Sequence, residues 1–363
     1  MARALDLARR SVALAHPNPL VGAVLVKNGR VIGEGFHTFD GRRHAEIIAI
    51  EKAGPAARGA TLYLNLEPCC HIGRTGPCTD AIISSGIRRV IASTTDPNPA
   101  VSGRGFSRLR RAGVKVTVGI HAEEAERLNE SFAKWIRTRL PFVTQKSALT
   151  LDGRIGFPGK STTWITSPQS REEVQRLRHA SDAILTGIGT VLADNPHLTD
   201  RTGLPRRRPL LRVVLDSRLR MPLRSHLVRD AHNDVLLFTT RPENSPRARA
   251  LRRAGVDIVR LPTRHGHVNL HAVLRELGRR EILSVLLEGG AELNGAFLRE
   301  GLVDKVILFF APKFLGSDAV PVATVNWPSI SAAPELHRIT LSRFGPDFCL
   351  TGYLHHTRIA PPR

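Results

Sequence analysis

Along the first 120 residues the spacing of apolar positions switches repeatedly between a helical period and strict alternation. The opening MARALDLARR reads as a helix, and VGAVLVKNGRVIGEGF from Val21 reads as two strands joined by an Asn28-Gly29 turn. A helix is predicted from near His44, carrying Ile47, Ile48 and Ile50 and stopped by Gly54-Pro55. The strand TLYLNL then runs straight into Glu67-Pro68-Cys69-Cys70. A helix over about residues 79–85, a strand RRVIAS, a helix over residues 106–111 and a strand VKVTVG complete a three-layer α/β pattern.

Residues 123–137 are helical in pattern, and Pro141 precedes a fresh strand, FVTQKSALT. The expected organisation is a first domain over residues 1–120, a connecting helix and linker over 121–141, and a second α/β domain over 142–359. Strands AILTG, LLRVVLDS, DVLLFTT, VDIVRLP, ILSVLLE and DKVILFF alternate there with helical segments such as SREEVQRLRH and HAVLRELGRR. The segment HRITLSRFGPDFCLTGYLHH reads as a closing hairpin.

Composition adds limits. A chain of 363 residues suits two domains, and 42% hydrophobic with 23% charged residues is ordinary globular usage. No window holds an uncharged apolar run fit for a membrane span, and Asp6, Arg9 and Arg10 interrupt the first apolar stretch, which argues against a signal peptide. Four cysteines, three of them at positions 69, 70 and 78, suit a reducing cytoplasm better than a disulfide framework. The formal charge of +21 comes from scattered arginine, with Arg206, Arg207 and Arg208 as the tight run, and aromatics are 5%. A solvated basic surface that steers small anions is expected, rather than a nucleic-acid site.

The candidate chemistry lies in the first domain. A hydrolytic zinc site needs three protein ligands, a fourth position for water, and a nearby carboxylate that is not a ligand. His44-Ala45-Glu46 opens a helix, Pro68-Cys69 follows a strand and Cys78 opens another helix. Helix N-termini favour thiolate over thiol, so His44, Cys69 and Cys78 are the candidate ligands, with Cys70 as the competing one. Glu46 is the candidate acid and base, taking a proton from water and returning protons to nitrogen until ammonia leaves. These residues resemble the cytidine deaminase superfamily, whose pattern is H-x-E followed by P-C-x-x-C, but here eight residues separate Cys69 from Cys78.

The longer segment LEPCCHIGRTGPC, starting at Leu66, resembles the riboflavin-biosynthesis deaminase family, as do HPNP from His16, GFH from Gly35 and DPNP from Asp96. The resemblance implies a diamino-ribosylamino-pyrimidinone 5′-phosphate as substrate, with Asn18 at the base and His37, Arg74, Asp96 and Asn98 around the ribose phosphate. Taken singly, Asn18, Asp96 and Asn98 also read as turn residues beside prolines.

In the second domain, Gly187-Ile188-Gly189 begins like a dinucleotide fingerprint, but Leu192 stands where the third glycine belongs, so a Rossmann domain is disfavoured. LDGR from Leu151, WITS from Trp164, GIGT from Gly187 with Asp194, VLDS from Val214 and EGG from Glu288 resemble the riboflavin-pathway reductase family, whose fold is similar to dihydrofolate reductase. The resemblance implies NADPH at Ala148, Trp164, Thr190, Asp194, Ser217, Gly290, Ala291, Glu292, Leu293, Asn294, Gly295 and Ala296. It implies substrate contacts from Lys146, Thr162, Arg178, Leu198, Arg201 and Glu288. Thr162 stands where the family usually has serine. Without the family, Trp164 reads as core and Arg178 as a solvated helix residue.

The expectation is therefore a cytoplasmic enzyme with a cytidine-deaminase-like zinc domain and a dihydrofolate-reductase-like NADPH domain. Small phosphorylated pyrimidines are its expected partners, without nucleic acid or membrane, and a homo-oligomer is expected. A chain active only as a deaminase and an RNA-binding protein on a deaminase fold are the alternatives.

Overall fold

A computed structural model describes residues 1–71, 76–159 and 164–354. Among these, one compact unit comprises Met1–Arg139 with Pro205–Arg208, and a second comprises Leu140–Leu204 and the residues from Pro209 onward.

The first unit contains α1 (Ala2–Arg9), β1 (Gly22–Lys27), β2 (Arg30–Phe36), α2 (Ala45–Ala53), β3 (Thr61–Leu66) and α3 (Cys78–Ser84). It continues with β4 (Arg89–Thr94), α4 (Arg104–Arg111), β5 (Lys115–Val118), α5 (Ala122–Leu128) and α6 (Glu130–Thr138). The sheet order is β2-β1-β3-β4-β5. β1 is antiparallel to both neighbours, while β3, β4 and β5 run parallel. Asn28 and Gly29 both have positive φ, 50° and 75°, the backbone a two-residue hairpin needs.

Ala45 and Ala49 of α2, Ile82 of α3 and Leu109 of α4 pack on Leu25, Leu62, Leu64 and Val90 of the sheet. Ala4 and Leu7 of α1 pack on Val24. Two glycines bring the helices close enough to build a site. A Cβ on Gly35 would lie 2.3 Å from the Ala45 carbonyl, so the first turn of α2 rests directly on β2. A Cβ on Gly105 would lie 2.2 Å from the Pro68 carbonyl, so α4 begins against the exit of β3. The helical pattern over residues 123–137 breaks into α5 and α6 at Asn129, which leaves the helical region with φ −109° and ψ 17°.

The second unit opens with β6 (Phe142–Thr150), β7 (Arg154–Gly156), α7 (Pro168–Ala180), β8 (Ala183–Gly187), α8 (Ile188–Asp194) and β9 (Leu211–Leu215). Next come α9 (His226–Arg229), β10 (Val235–Thr239), α10 (Pro246–Arg253), β11 (Val256–Arg260), β12 (Thr263–Arg264) and β13 (His267–Val268). The last elements are α11 (Leu270–Arg279), β14 (Ser284–Leu287), α12 (Ala291–Arg299), β15 (Lys305–Ala311), β16 (Val320–Pro321), β17 (His337–Phe344) and β18 (Asp347–Tyr353). Nine strands form one sheet in the order β11-β10-β9-β8-β14-β6-β15-β18-β17. It is parallel up to β15, and β18 and β17 add an antiparallel edge. That order is not the 3-2-1-4-5-6 of a Rossmann sheet. The parallel strands are buried almost end to end, as in Val235–Thr239 and Ser284–Leu287, because helices cover both faces.

Candidate active sites

In the first unit, His44 caps the start of α2 with an extended backbone, Cys78 is the first residue of α3 and Cys69 lies three residues beyond β3. Among the described residues, their ligand atoms form the one group of metal-binding side chains, all within 4.8 Å of one another. The imidazole Nδ1 of His44 lies 3.0 Å from Cys78 Sγ and 3.5 Å from Cys69 Sγ. The Cys78 amide donates to Cys69 Sγ at 3.3 Å. One nitrogen and two sulfurs suit zinc and leave room for a fourth ligand.

The protein groups already polarise one another. Hydrogen bonds from the Cys78 thiol and then His44 pull the Cys69 thiol down to about 4, while the bond to Cys69 lifts His44 to about 9. The same bond to Cys69, with burial, pushes Cys78 up. Glu46, 3% exposed, is the second residue of α2, two positions after His44, and touches Cys78. Burial raises its carboxyl above the ordinary glutamate value, because the charged form loses its hydration there.

Asn18 and His37 meet beside this cluster. His37 Nδ1 is 2.9 Å from the Arg43 carbonyl, an acceptor, so that nitrogen carries the proton. Nε2 then accepts from Asn18 Nδ2 at 2.9 Å. Burial lowers His37 and keeps it neutral. The His37 and His44 rings meet edge to face at 5.3 Å.

Asp96 and Asn98 lie on the loop after β4. Asp96 Oδ1 accepts the Asn98 amide at 2.8 Å, and Asn98 Oδ1 accepts the Ala100 amide at 3.0 Å, so both shape the turn. Burial lifts Asp96 to about 7. Glu67, 3% exposed, accepts the amides of Asp96, Gly103 and Phe106 at 3.1, 2.8 and 3.2 Å. A cavity of about 210 Å³ between the ends of β3, β4 and β5 and helices α5 and α6 is lined by Ser93, Asp96, Asn129 and Arg137. Arg74 lies outside the described residues.

In the second unit Lys146 of β6, Arg178 of α7 and Glu288, one residue beyond β14, form a nearly buried triad, each side chain 11–12% exposed. Arg178 grips both Glu288 oxygens at 2.9 and 3.0 Å and donates to the Thr199 carbonyl at 3.1 Å. Lys146 Nζ donates to Glu288 Oε2 at 3.1 Å. Burial alone would raise the Glu288 carboxyl, but the Lys146 and Arg178 charges outweigh it and hold it at about 2.

The ends of β8 and β14, neighbours in the sheet, bring two helix starts together. A Cβ on Gly187 would lie 3.5 Å from Leu293, and one on Gly290 would lie 3.8 Å from Thr190 Oγ1. Gly290 caps α12 without a side-chain hydrogen bond to the first-turn amides. Asp194 ends α8, Ala148 is half-buried on β6, and Ser217 Oγ accepts the Val268 amide at 3.0 Å.

Some expected residues are supports in this geometry. Asn294 is fully buried and donates to the carbonyls of Gly289 and Val322, while Gly295 is packed so that a Cβ would lie 2.0 Å from the Thr324 carbonyl. Leu198 is 5% exposed in the core with Ile184 and Val214. Arg201 is exposed, its amide bonded to Gln175. Trp164 is not core: it is 67% exposed, with the Arg171 guanidinium 4.7 Å from its ring. Thr162 lies outside the described residues.

Two family models match the chain: the cytidine and deoxycytidylate deaminase zinc-binding region over residues 1–94, and the RibD C-terminal domain over residues 141–350. The riboflavin biosynthesis protein RibD of Escherichia coli is 42% identical over 363 residues, covering 96% of this chain and 97% of that one. RibD of Aquifex aeolicus is 40% identical over 350 residues, covering 96% of each. The chain belongs to the RibD family. A RibD structure from Acinetobacter baumannii superposes with a TM-score of 0.86 at 35% identity, covering 98% of both chains. The Thermotoga maritima member, named as a diaminohydroxyphosphoribosylaminopyrimidine deaminase and 5-amino-6-(5-phosphoribosylamino)uracil reductase, gives 0.84 at 36% identity, covering 98% of this chain and 97% of that one.

Within this RibD fold, sequence reasoning missed Asn65, Glu67 and Asn129 as site-building residues. A signal was present for two of them. Asn65 is a polar residue inside an apolar strand, and Asn129 is a weak helix former inside a helical period.

Proposed function

We propose that the chain catalyses two successive steps of riboflavin biosynthesis. The first is hydrolytic deamination of 2,5-diamino-6-(5-phosphoribosylamino)pyrimidin-4(3H)-one, and the second is NADPH-dependent reduction of the resulting ribosyl group to ribityl. The observation that carries the reading is the His44, Cys69 and Cys78 cluster with protonatable Glu46 beside it. His44, Cys69 and Cys78 would hold zinc, which when bound would supply the Lewis acidity for hydrolysis at neutral pH. Glu46 takes the water proton as base and delivers it to the departing amine as acid. Asn18 offers a carbonyl oxygen to ring N–H groups, and the Asp96 and Asn98 turn bounds the ribose side.

For the second step NADPH supplies the hydride, and the protein orients it against the opened ribose. The uncapped amides at the start of α12 suit its pyrophosphate, with Thr190 and Ser217 near the same strand ends. Asn294 and Gly295 shape that turn. The paired charges of Lys146, Arg178 and Glu288 are the proposed substrate contacts. The deaminase is assigned to residues 1–120, the connection to 121–141 and the reductase to 142–359.

Ammonia release and NADPH oxidation are expected in one reaction from the diaminopyrimidinone ribosyl phosphate, followed together by coupled spectrophotometry. Ammonia without NADPH consumption would sink the bifunctional reading.

No described helix is long and apolar enough to cross a membrane. The four cysteines are free thiols, which supports a reducing compartment. For assembly, a second copy is the proposed partner. β17 is a sheet edge with Ile339 53% and Leu341 73% exposed, and self-pairing would cover it. Light scattering is expected to give a multiple of the chain mass, and a strict monomer would refute this.

A further inference from the structure

We infer that Asn129 is a positioning residue for the deaminase, fixing the place of Asn18 by bracketing Leu20. This rests on the proposed role of Asn18 as a pyrimidine contact. The Leu20 amide donates to Asn129 Oδ1 at 2.8 Å, and Asn129 Nδ2 donates back to the Leu20 carbonyl at 3.0 Å, across 109 positions of sequence. A side-chain carboxamide thus takes the place of a neighbouring strand for one residue.

Asn65 completes the bracket. It donates to the same Leu20 carbonyl at 2.8 Å and accepts the Gly22 amide at 2.9 Å. Leu20, Asn65 and Asn129 are 6%, 0% and 5% exposed, so water does not compete for these groups. The asparagine amide carries its acceptor and its donor on separate atoms, and this two-point contact uses both. Losing it leaves the buried Leu20 amide without its partner.

The constraint passes to Asn18 through rigid chain. Pro17 and Pro19 flank Asn18, fixing their own φ and restricting the residue before each. Asn18 also gives its amide to the Ala15 carbonyl at 3.0 Å and its side chain to His37. With Leu20 held, the remaining freedom at Asn18 is small.

The requirement also accounts for the break between α5 and α6. An asparagine that must turn its carboxamide toward Leu20 ends one helix and starts the next, and its own carbonyl accepts the Ala133 amide at 2.8 Å. The helix pair serves the site from a segment that carries none of the predicted contact residues.

The test uses the zinc-loaded full chain with Asn129→Ala and the milder Asn129→Ser. The expected result for both is a KM for the diaminopyrimidinone ribosyl phosphate raised about tenfold, with kcat and zinc content close to those of the unsubstituted chain. Hydrogen exchange of residues 16–21 is expected to accelerate in both, and NADPH oxidation with pre-deaminated substrate to stay the same. Unchanged KM in a folded variant, or unchanged exchange over residues 16–21, would overturn the inference. The exchange readout needs no turnover, so absence of ammonia release from the unsubstituted chain would count against the proposed function alone.

Discussion

Replacing Glu46 by Gln is expected to cut ammonia release by about 10²- to 10⁴-fold, the usual contribution of a positioned general acid and base. Zinc should stay bound, because the candidate ligands are His44, Cys69 and Cys78 and Glu46 is not among them. NADPH oxidation with pre-deaminated substrate should be unchanged. The variant should also melt no lower than the parent. Burial raises the Glu46 carboxyl above its ordinary value, so its ionised form opposes folding as pH rises, and the neutral amide removes that cost. Ammonia release close to the parental rate, measured with zinc content verified, would remove Glu46 from the proton path.

The other large effect concerns Glu288. Glu288→Ala leaves Lys146 and Arg178 buried without their counter-charge, a change that costs about 3–5 kcal/mol in comparable buried pairs. In a unit of this size that corresponds to a melting point lower by roughly 6–20 °C, together with loss of NADPH oxidation. The pH dependence has a defined sign. Glu288 titrates at about 2 in the folded chain, below an ordinary glutamate, so its stabilisation is complete above pH ~4.3 and fades as pH falls toward 2. The variant should lack that part of the acid destabilisation seen by calorimetry. Parental melting and parental NADPH turnover in Glu288→Ala would show that the triad neither holds the unit nor meets the substrate.

Much of this was legible because local signals agreed. Asn28-Gly29 specified the hairpin, and the apolar strand running into Pro68-Cys69 put a ligand at a strand end, where it lies. His44, Glu46 and Cys78 were readable because each belongs to a helix start. Helix α10 carries a start signal of the same kind, with Ser245 capping through the Ala248 amide and Pro246 following.

Long-range pairings were not legible. Nothing local in SREEVQRLRH says that Arg178 turns inward to Glu288, 110 positions away, while Arg176 of the same helix stays exposed with Glu172. Trp164 shows the converse: its size suggests core, and the fold leaves it exposed over Arg171. Asn129 was invisible as part of the site because its partner, Leu20, is apolar and offers only backbone to recognise.

Glu67 has a consequence for how substrate is met. One buried carboxylate holds the amides of Asp96, Gly103 and Phe106, so the segment can open only by surrendering three bonds to a charged acceptor at once. Such a loop belongs with the slow-exchanging part of a domain rather than its lids. Its ordering entropy is settled when the chain folds, so if the proposed substrate contacts at Asp96 and Asn98 hold, binding energy need not be spent arranging them and remains for discrimination between ring systems.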